Sequence, residues 1–217
     1  MIEPFAPHQD LANVLLGAFD ANLAGGSHDL AHIARVWRNA AHIARTEAGI
    51  DTELLLAAAI LHDCVPVEKS SPQRPFASRL SAARAREIVA PLQWTAYRVD
   101  GLAHVIETHS FSAALAPATL EAKIFQDADR LDAIGAIGVA RCFHVGGRMH
   151  GALYHLGDPG AEARALDDRA YALDHFPAKL FKLSGGFFTA EGKRMAAARE
   201  ALMRDYVASL RAEIEGE

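Results

Sequence analysis

Three places in the chain carry side chains that could act together: His32, the adjacent pair His62-Asp63, and Asp129 within Gln126-Asp127-Ala128-Asp129-Arg130-Leu131-Asp132. The pair is the most informative. It comes directly after the run Leu54-Leu55-Leu56-Ala57-Ala58-Ala59-Ile60-Leu61, so two ionisable groups stand at the end of an apolar stretch, where burying them unpaired is costly. A divalent cation removes that cost, because neutral imidazole nitrogen and carboxylate oxygen are donors that bind Mn²⁺, Fe²⁺, Ni²⁺ or Zn²⁺. Two His and two Asp leave coordination positions for water or a substrate oxygen, which gives an activated nucleophile and a Lewis acid for a phosphoryl group. His28 lies one helical turn before His32 and projects onto the same face, so spacing alone allows either as the ligand. Asp127 and Asp129 fall on nearly opposite sides of a helix, whereas Asp129 and Asp132 share a side.

These residues need helices to carry them. Apolar positions recur at spacings of three and four, and alternating β-branched runs are nearly absent, which predicts an all-α fold. A first helix is expected from about 10 to 24, with Leu11, Val14, Leu15, Ala18 and Phe19 inward and Gly25-Gly26 ending it. Ser27 is the expected N-cap of a second helix running toward Gly49, with Ile33, Val36, Trp37, Ala40 and Ile43 on its inner face. Asp51 or Thr52 caps a third, which ends at Leu61, is apolar all round and should be central. Further helices are expected at about 78–90, 94–109, 118–142, 167–183 and 189–213, with a Gly-rich connection over 146–160 that is either a lid or an ordinary loop. The stripe Met195, Ala198, Leu202, Tyr206 and Leu210 on the last helix suits intramolecular packing or a dimer face.

The chain has 217 residues, 51% hydrophobic and 23% charged, which is material for one domain over 1–217 with a single substantial core. Twenty-two basic against 27 acidic residues give a net charge of −5, the wrong balance for bulk nucleic-acid binding, although a local pocket can still attract a small anion. Cys64 and Cys142 are too few for a disulfide framework and fit a reducing, cytoplasmic setting. Residues 1–12 lack the basic start and apolar centre of a secretion signal, and no uncharged apolar run is long enough for a membrane span.

The order His, His-Asp, Asp resembles the HD superfamily of phosphohydrolases, and longer stretches resemble its YedJ/YpgQ-like branch. The similar segments are His28-Asp29-Leu30-Ala31-His32-Ile33-Ala34-Arg35-Val36, Ala59-Ile60-Leu61-His62-Asp63, His109-Ser110-Phe111-Ser112, residues 126–136, Leu173-Asp174-His175-Phe176, and Lys179-Leu180-Phe181-Lys182-Leu183. The resemblance covers about 25–210. It implies a helical bundle with its HD core over about 25–145 and C-terminal helices over about 165–213. It also implies hydrolysis of a phosphoester or phosphoanhydride bond, most often in a nucleotide, with the alternative of a nucleotide sensor that does not turn over. The ligands it implies are His32, placed three residues before Arg35-Val36, with His62, Asp63 and Asp129. No third and fourth His stand as in two-metal HD-GYP relatives, so one ion is expected: manganese, iron, nickel, magnesium or zinc.

Around this set, His28 becomes a substrate or positioning contact, and Lys69 and Arg74 stand close enough after His62-Asp63 to meet phosphate oxygens. Lys179 and Lys182, three apart on one helix face, could close over the substrate with His175. His104 is a candidate proton carrier. It stands five residues before His109, a spacing that does not make the two a ligand pair. Asp127 suits a buried, paired position, Asp132 a hydrogen bond from a ligand His or Arg130, and Cys64 a packing role. The expected partner is a small phosphorylated substrate, and the protein is a monomer or homodimer without membrane attachment.

Overall fold

A computed structural model describes residues 3–18, 29–67, 71–110 and 115–216. Among them the regular structure is helical, with one isolated bridge between Ala152 and Tyr171, and no helix is long and apolar enough to cross a membrane. The chain divides into two compact units, Met1–Asp129 and Arg130–Glu217, the division falling inside a helix.

In the first unit the apolar run forms α3, Thr52–Leu61, and Leu54 to Leu61 are all buried. A helix with no polar face must be covered all round, and α3 touches α1 (Gln9–Ala18), α2 (Leu30–Ala44), α4 (Ala77–Val89) and α5 (Ala96–His109). Each fully buried Leu or Ile contributes roughly 1.5–3 kcal/mol against the entropy of ordering it. Asp51 caps α3 by accepting the Leu54 N–H at 3.0 Å, and Arg98 of α5 grips the same carboxylate at 2.6 and 2.7 Å. Gly101 lets α5 come close, since a Cβ there would stand 3.3 Å from Leu54 Cδ1. The last helix of this unit, α6 (Leu120–Leu131), buries Ala122, Ile124, Phe125 and Ala128.

Two expectations for the first unit shift. The cap of α2 is Asp29, whose carboxylate accepts the His32 N–H at 2.8 Å; Ser27, like Phe19 and Gly25-Gly26, lies outside the described residues. On α1 it is Ala12 and Leu15 that are buried, while Val14 is exposed.

The second unit corrects more. The expected helix over 118–142 is two, α6 and α7 (Gly135–Arg148). Gly135 takes φ +75, a left-handed conformation that a helix interior excludes, and a Cβ there would meet Arg199 Cγ at 2.9 Å. The Gly-rich connection begins inside α7 and continues as an irregular stretch, held where Ala152 donates to Ala170 O and accepts from Ala172 N–H at 2.8 and 2.9 Å.

The expected helix over 167–183 does not start at 167. Asp167 turns its carboxylate onto the Arg169 and Ala170 N–H groups, the local bonding that competes with a helix. Instead the chain makes a 3₁₀ turn at Ala172–Asp174, a π-helical turn at Phe176–Leu180 containing Pro177, and the single turn α8, Phe181–Leu183. The final helix α9, Ala190–Glu215, buries Gly192, Ala196 and Met203, so its inward face is rotated from the expected stripe: Leu202 is exposed, and Tyr206 meets Phe143 and Phe176 through its ring.

Candidate metal centre

Four helices of the first unit bring their functional side chains to one place. His32 sits in the first turn of α2 and is 1% exposed; His62 ends α3 and is 2% exposed. Asp63 comes next in the turn, Asp129 stands near the end of α6, and both carboxylates are about a quarter exposed. The structure therefore gathers His32, His62, Asp63 and Asp129, and adds His109, the last residue of α5.

The nitrogens and oxygens face inward. His32 Nε2 lies 3.3 Å from His62 Nε2 and 3.7 Å from Asp129 Oδ1. His62 Nε2 lies 3.7 Å from Asp63 Oδ2, and His109 Nε2 lies 3.8 Å from Asp63 Oδ1. His62 Nδ1 donates to Ala59 O at 3.0 Å, which leaves Nε2 with its lone pair on the inner side. Burial pulls the His62 imidazole down to about 4; the nearby His109 and His32 act in the same direction, and Asp63 and Asp129 oppose them. His62 is thus neutral at ordinary pH, the form that ligates metal.

The donors fit a cation. Ligand bonds of ~2.1 Å separate neighbouring donors by ~3.0 Å in an octahedron and ~3.4 Å in a tetrahedron. The observed 3.3 to 3.8 Å is that spacing, slightly expanded. Two carboxamides hold the frame: Asn39 Nδ2 donates to Ala128 O at 3.1 Å beside Asp129, and Gln126 Nε2 donates to Thr108 O at 2.7 Å beside His109.

Other sequence candidates lie elsewhere or are occupied. His28 and Lys69 fall outside the described residues. Arg74, in the 3₁₀ turn Arg74–Phe76, donates to Val67 O at 3.2 Å. His104 Nε2 accepts the Ala118 N–H at 3.0 Å, so that lone pair already has a donor. Lys179 and Lys182 belong to the second unit, and His175 pairs with Asp168 at 2.9 Å. Asp127 is fully buried. Asp132 is also buried, with the Arg141 guanidinium at 3.1 Å, and Arg130 donates to Gly186 O. Cys64 packs with its thiol pushed up by burial to about 11, too high for a nucleophile.

The sequence marks His109 only as the start of the resembling segment His109-Ser110-Phe111-Ser112 and assigns it no role, because its five-residue spacing from His104 does not make the two a ligand pair. The signal available is position: like His62, it is a histidine at the C-terminal end of a predicted helix that lines the core.

Residues 29–134 match the HD domain family. Over 193 residues the chain is 33% identical to YpgQ of Bacillus subtilis (strain 168), covering 87% of this chain and 85% of that one. The crystal structure of Bacillus subtilis YpgQ in complex with ADP superposes with a TM-score of 0.72 at 29% identity, covering 94% of this chain and 95% of the other. An HD-superfamily hydrolase from Bacillus thuringiensis gives a TM-score of 0.74 at 25% identity, covering 96% and 98%.

Proposed function

This chain belongs to the HD domain family, in the branch that includes YpgQ, and is a metal-dependent phosphohydrolase; from that premise we propose that it hydrolyses a phosphate bond of a nucleotide, using one divalent ion held by His32, His62, Asp63 and Asp129. The observation that carries this reading is the inward convergence of buried imidazole nitrogens and partly exposed carboxylates at 3.3 to 3.7 Å. Nucleotide as the substrate class is supported by the ADP complex of Bacillus subtilis YpgQ, which this chain resembles over nearly its full length.

When bound, the ion supplies Lewis acidity toward a phosphoryl oxygen and makes water nucleophilic at neutral pH. Imidazole donors favour manganese, iron, nickel or zinc over magnesium, which prefers oxygen. The protein's own contribution is to keep His62 neutral by burial and oriented through Ala59 O, and to leave the two carboxylates partly open on the side where substrate enters. Positive side chains would take the remaining phosphate charge. Lys69 and Arg74 are our candidates, with His28 as a further contact. His104 we assign to fixing residues 115–118 through the Ala118 N–H. We treat 1–217 as one domain, because the likeness to Bacillus subtilis YpgQ runs over 94% of this chain.

The test is release of phosphate and pyrophosphate from a nucleotide panel by metal-stripped protein resupplied with Mn²⁺, beside Asp129→Ala. Release that needs Mn²⁺ and disappears in the variant is the expected result, and the product names the bond cleaved. Tight nucleotide binding with metal present and no release would replace the hydrolase reading of this site with a sensor.

A further inference from the structure

We propose that Arg98 is a positioning residue for the metal centre, acting from the far end of α3 and α5 by fixing their register; the inference rests on the metal-centre reading above. Three contacts between these helices repeat one offset. Arg98 meets Asp51 at 2.6 and 2.7 Å, 47 positions apart in the chain. A Cβ on Gly101 would stand 3.3 Å from Leu54, and the rings of His62 and His109 lie with centroids 5.0 Å apart, each pair at that same separation. A constant offset means that α3 and α5 run side by side in the same direction without slipping. The Asp51–Arg98 contact therefore lies roughly 16 Å of helix away from His62.

Packing alone gives α3 little to register on. Leu54 to Leu61 are buried on every side, Ala57 to Ala59 offer few knobs, and burial of apolar surface is non-directional. A polar contact can specify the offset, as a single polar residue does in a coiled coil. Arg98 is suited to that. Its fork takes both oxygens of the Asp51 carboxylate that caps α3, the Trp94 ring covers it at 3.9 Å, and Glu53 holds its outer edge at 2.7 Å. The Asp51 N–H donates to Glu121 Oε1 at 3.4 Å, in the first turn of α6, so this one residue meets both of the other helices. At the opposite end α5 passes the register on, because Thr108 O accepts from Gln126 Nε2 of α6 at 2.7 Å, three residues before Asp129. The distance from His62-Asp63 to Asp129 thus depends on where α5 stands along α3. A slip of one residue would shift it by about 1.5 Å, where metal–ligand distances hold to about 0.2 Å.

The experiment measures Mn²⁺ affinity of the full chain by calorimetry in the wild type, Arg98→Ala, Arg98→Lys, Glu53→Gln and Arg86→Ala, at a temperature where the proteins compared keep their helical circular dichroism. Melting curves of the metal-free proteins are recorded beside it. Arg98→Ala should bind Mn²⁺ about tenfold or more weakly, and Arg98→Lys should also weaken it, since an ammonium keeps the charge but not the fork. Glu53→Gln removes only the outer arm, and Arg86→Ala removes the exposed pair with Asp100 of α5; both should stay within about twofold of the wild type. A lower melting temperature for Arg98→Ala with unchanged Mn²⁺ affinity would make Arg98 a stabilising residue only and overturn the proposal. An equal loss of affinity in Arg86→Ala would overturn it too. If Arg98→Ala does not fold, Arg98→Lys decides alone. No tightly bound Mn²⁺ in the wild type would overturn the metal-centre reading, and this inference with it.

Discussion

The metal centre of the first unit and the irregular stretch of the second both enclose acidic side chains, partly in the first and fully in the second, and they deal with them in opposite ways. In the second unit Asp174, 2% exposed, receives two hydrogen bonds from Arg164 at 2.5 and 2.8 Å and a third from the Asp167 N–H at 2.7 Å. Its charge is answered from within the chain, and its role is to fix the path between α7 and α8. In the first unit, Asp63 and Asp129 each face an imidazole nitrogen at 3.7 Å, of His62 and of His32. A buried carboxylate answered by an arginine of its own chain builds structure; partly open carboxylates set beside imidazoles at helix ends suit a cation.

The comparison breaks most sharply at Asp129. Asp129→Ala or His62→Ala should lower turnover more than about 100-fold, beyond the roughly 10–100-fold typical of groups that only support a ligand. The apo form should keep its helical circular dichroism, and retained turnover in either variant would mean the donors are structural after all. Metal removal comes next. Chelation should abolish activity and lower the melting temperature, and Mn²⁺ at about 100 times its Kd should restore about 2.7 kcal/mol of stability. A thermal scan with and without Mn²⁺ reads this.

Asp174→Ala is the converse. It strands the Asp167 N–H and should cost about 1–3 kcal/mol in urea unfolding, with Mn²⁺ affinity unchanged by calorimetry. A change in that affinity would show that the two regions are not separable.

The smallest effect is on pH. At Asp51 burial alone would raise the carboxyl pKa, yet the hydrogen bonds from Arg98 and the Leu54 N–H bring it below its usual value, and Arg164 and the Asp167 N–H do the same for Asp174 against the same burial. With folded values below unfolded ones, their stabilisation is complete above the ordinary Asp pKa of ~3.9 and is lost as pH falls through the depressed folded values. Urea midpoints should therefore drop on acidification in the wild type, and drop less in Asp51→Asn.

Much of the centre is legible in the sequence because its residues announce themselves locally. His62-Asp63 ends an apolar run, and α3 occupies the span that run predicts, at the middle of its unit. The all-α class comes from the same periodicity. The features that stay hidden depend on single backbone conformations or on distant partners. The apolar rhythm over 118–142 continues through the break before Gly135, so only its positive φ reveals two helices. The helix pattern over 167–183 is overridden by the Asp167 carboxylate and by Arg164 drawing Asp174 aside. Arg141, a partner of Asp132, is nine residues away on the next helix, beyond what the spacing around Arg130 suggests. His109 stands in a segment that resembles the family, but its place at the centre shows only with Asp63 beside it.

Asn39 and Gln126 hold α6 at the carbonyl of Ala128 and through Thr108 O, on the two sides of the site. Both are carboxamides, which do not ionise. Added salt screens the solvent-facing attraction between Arg98 and Glu53, but it has no net charge to screen in these two grips. Ionic strength should therefore govern how readily a phosphate-bearing molecule is drawn to the site, while the spacing of the groups that receive it stays constant.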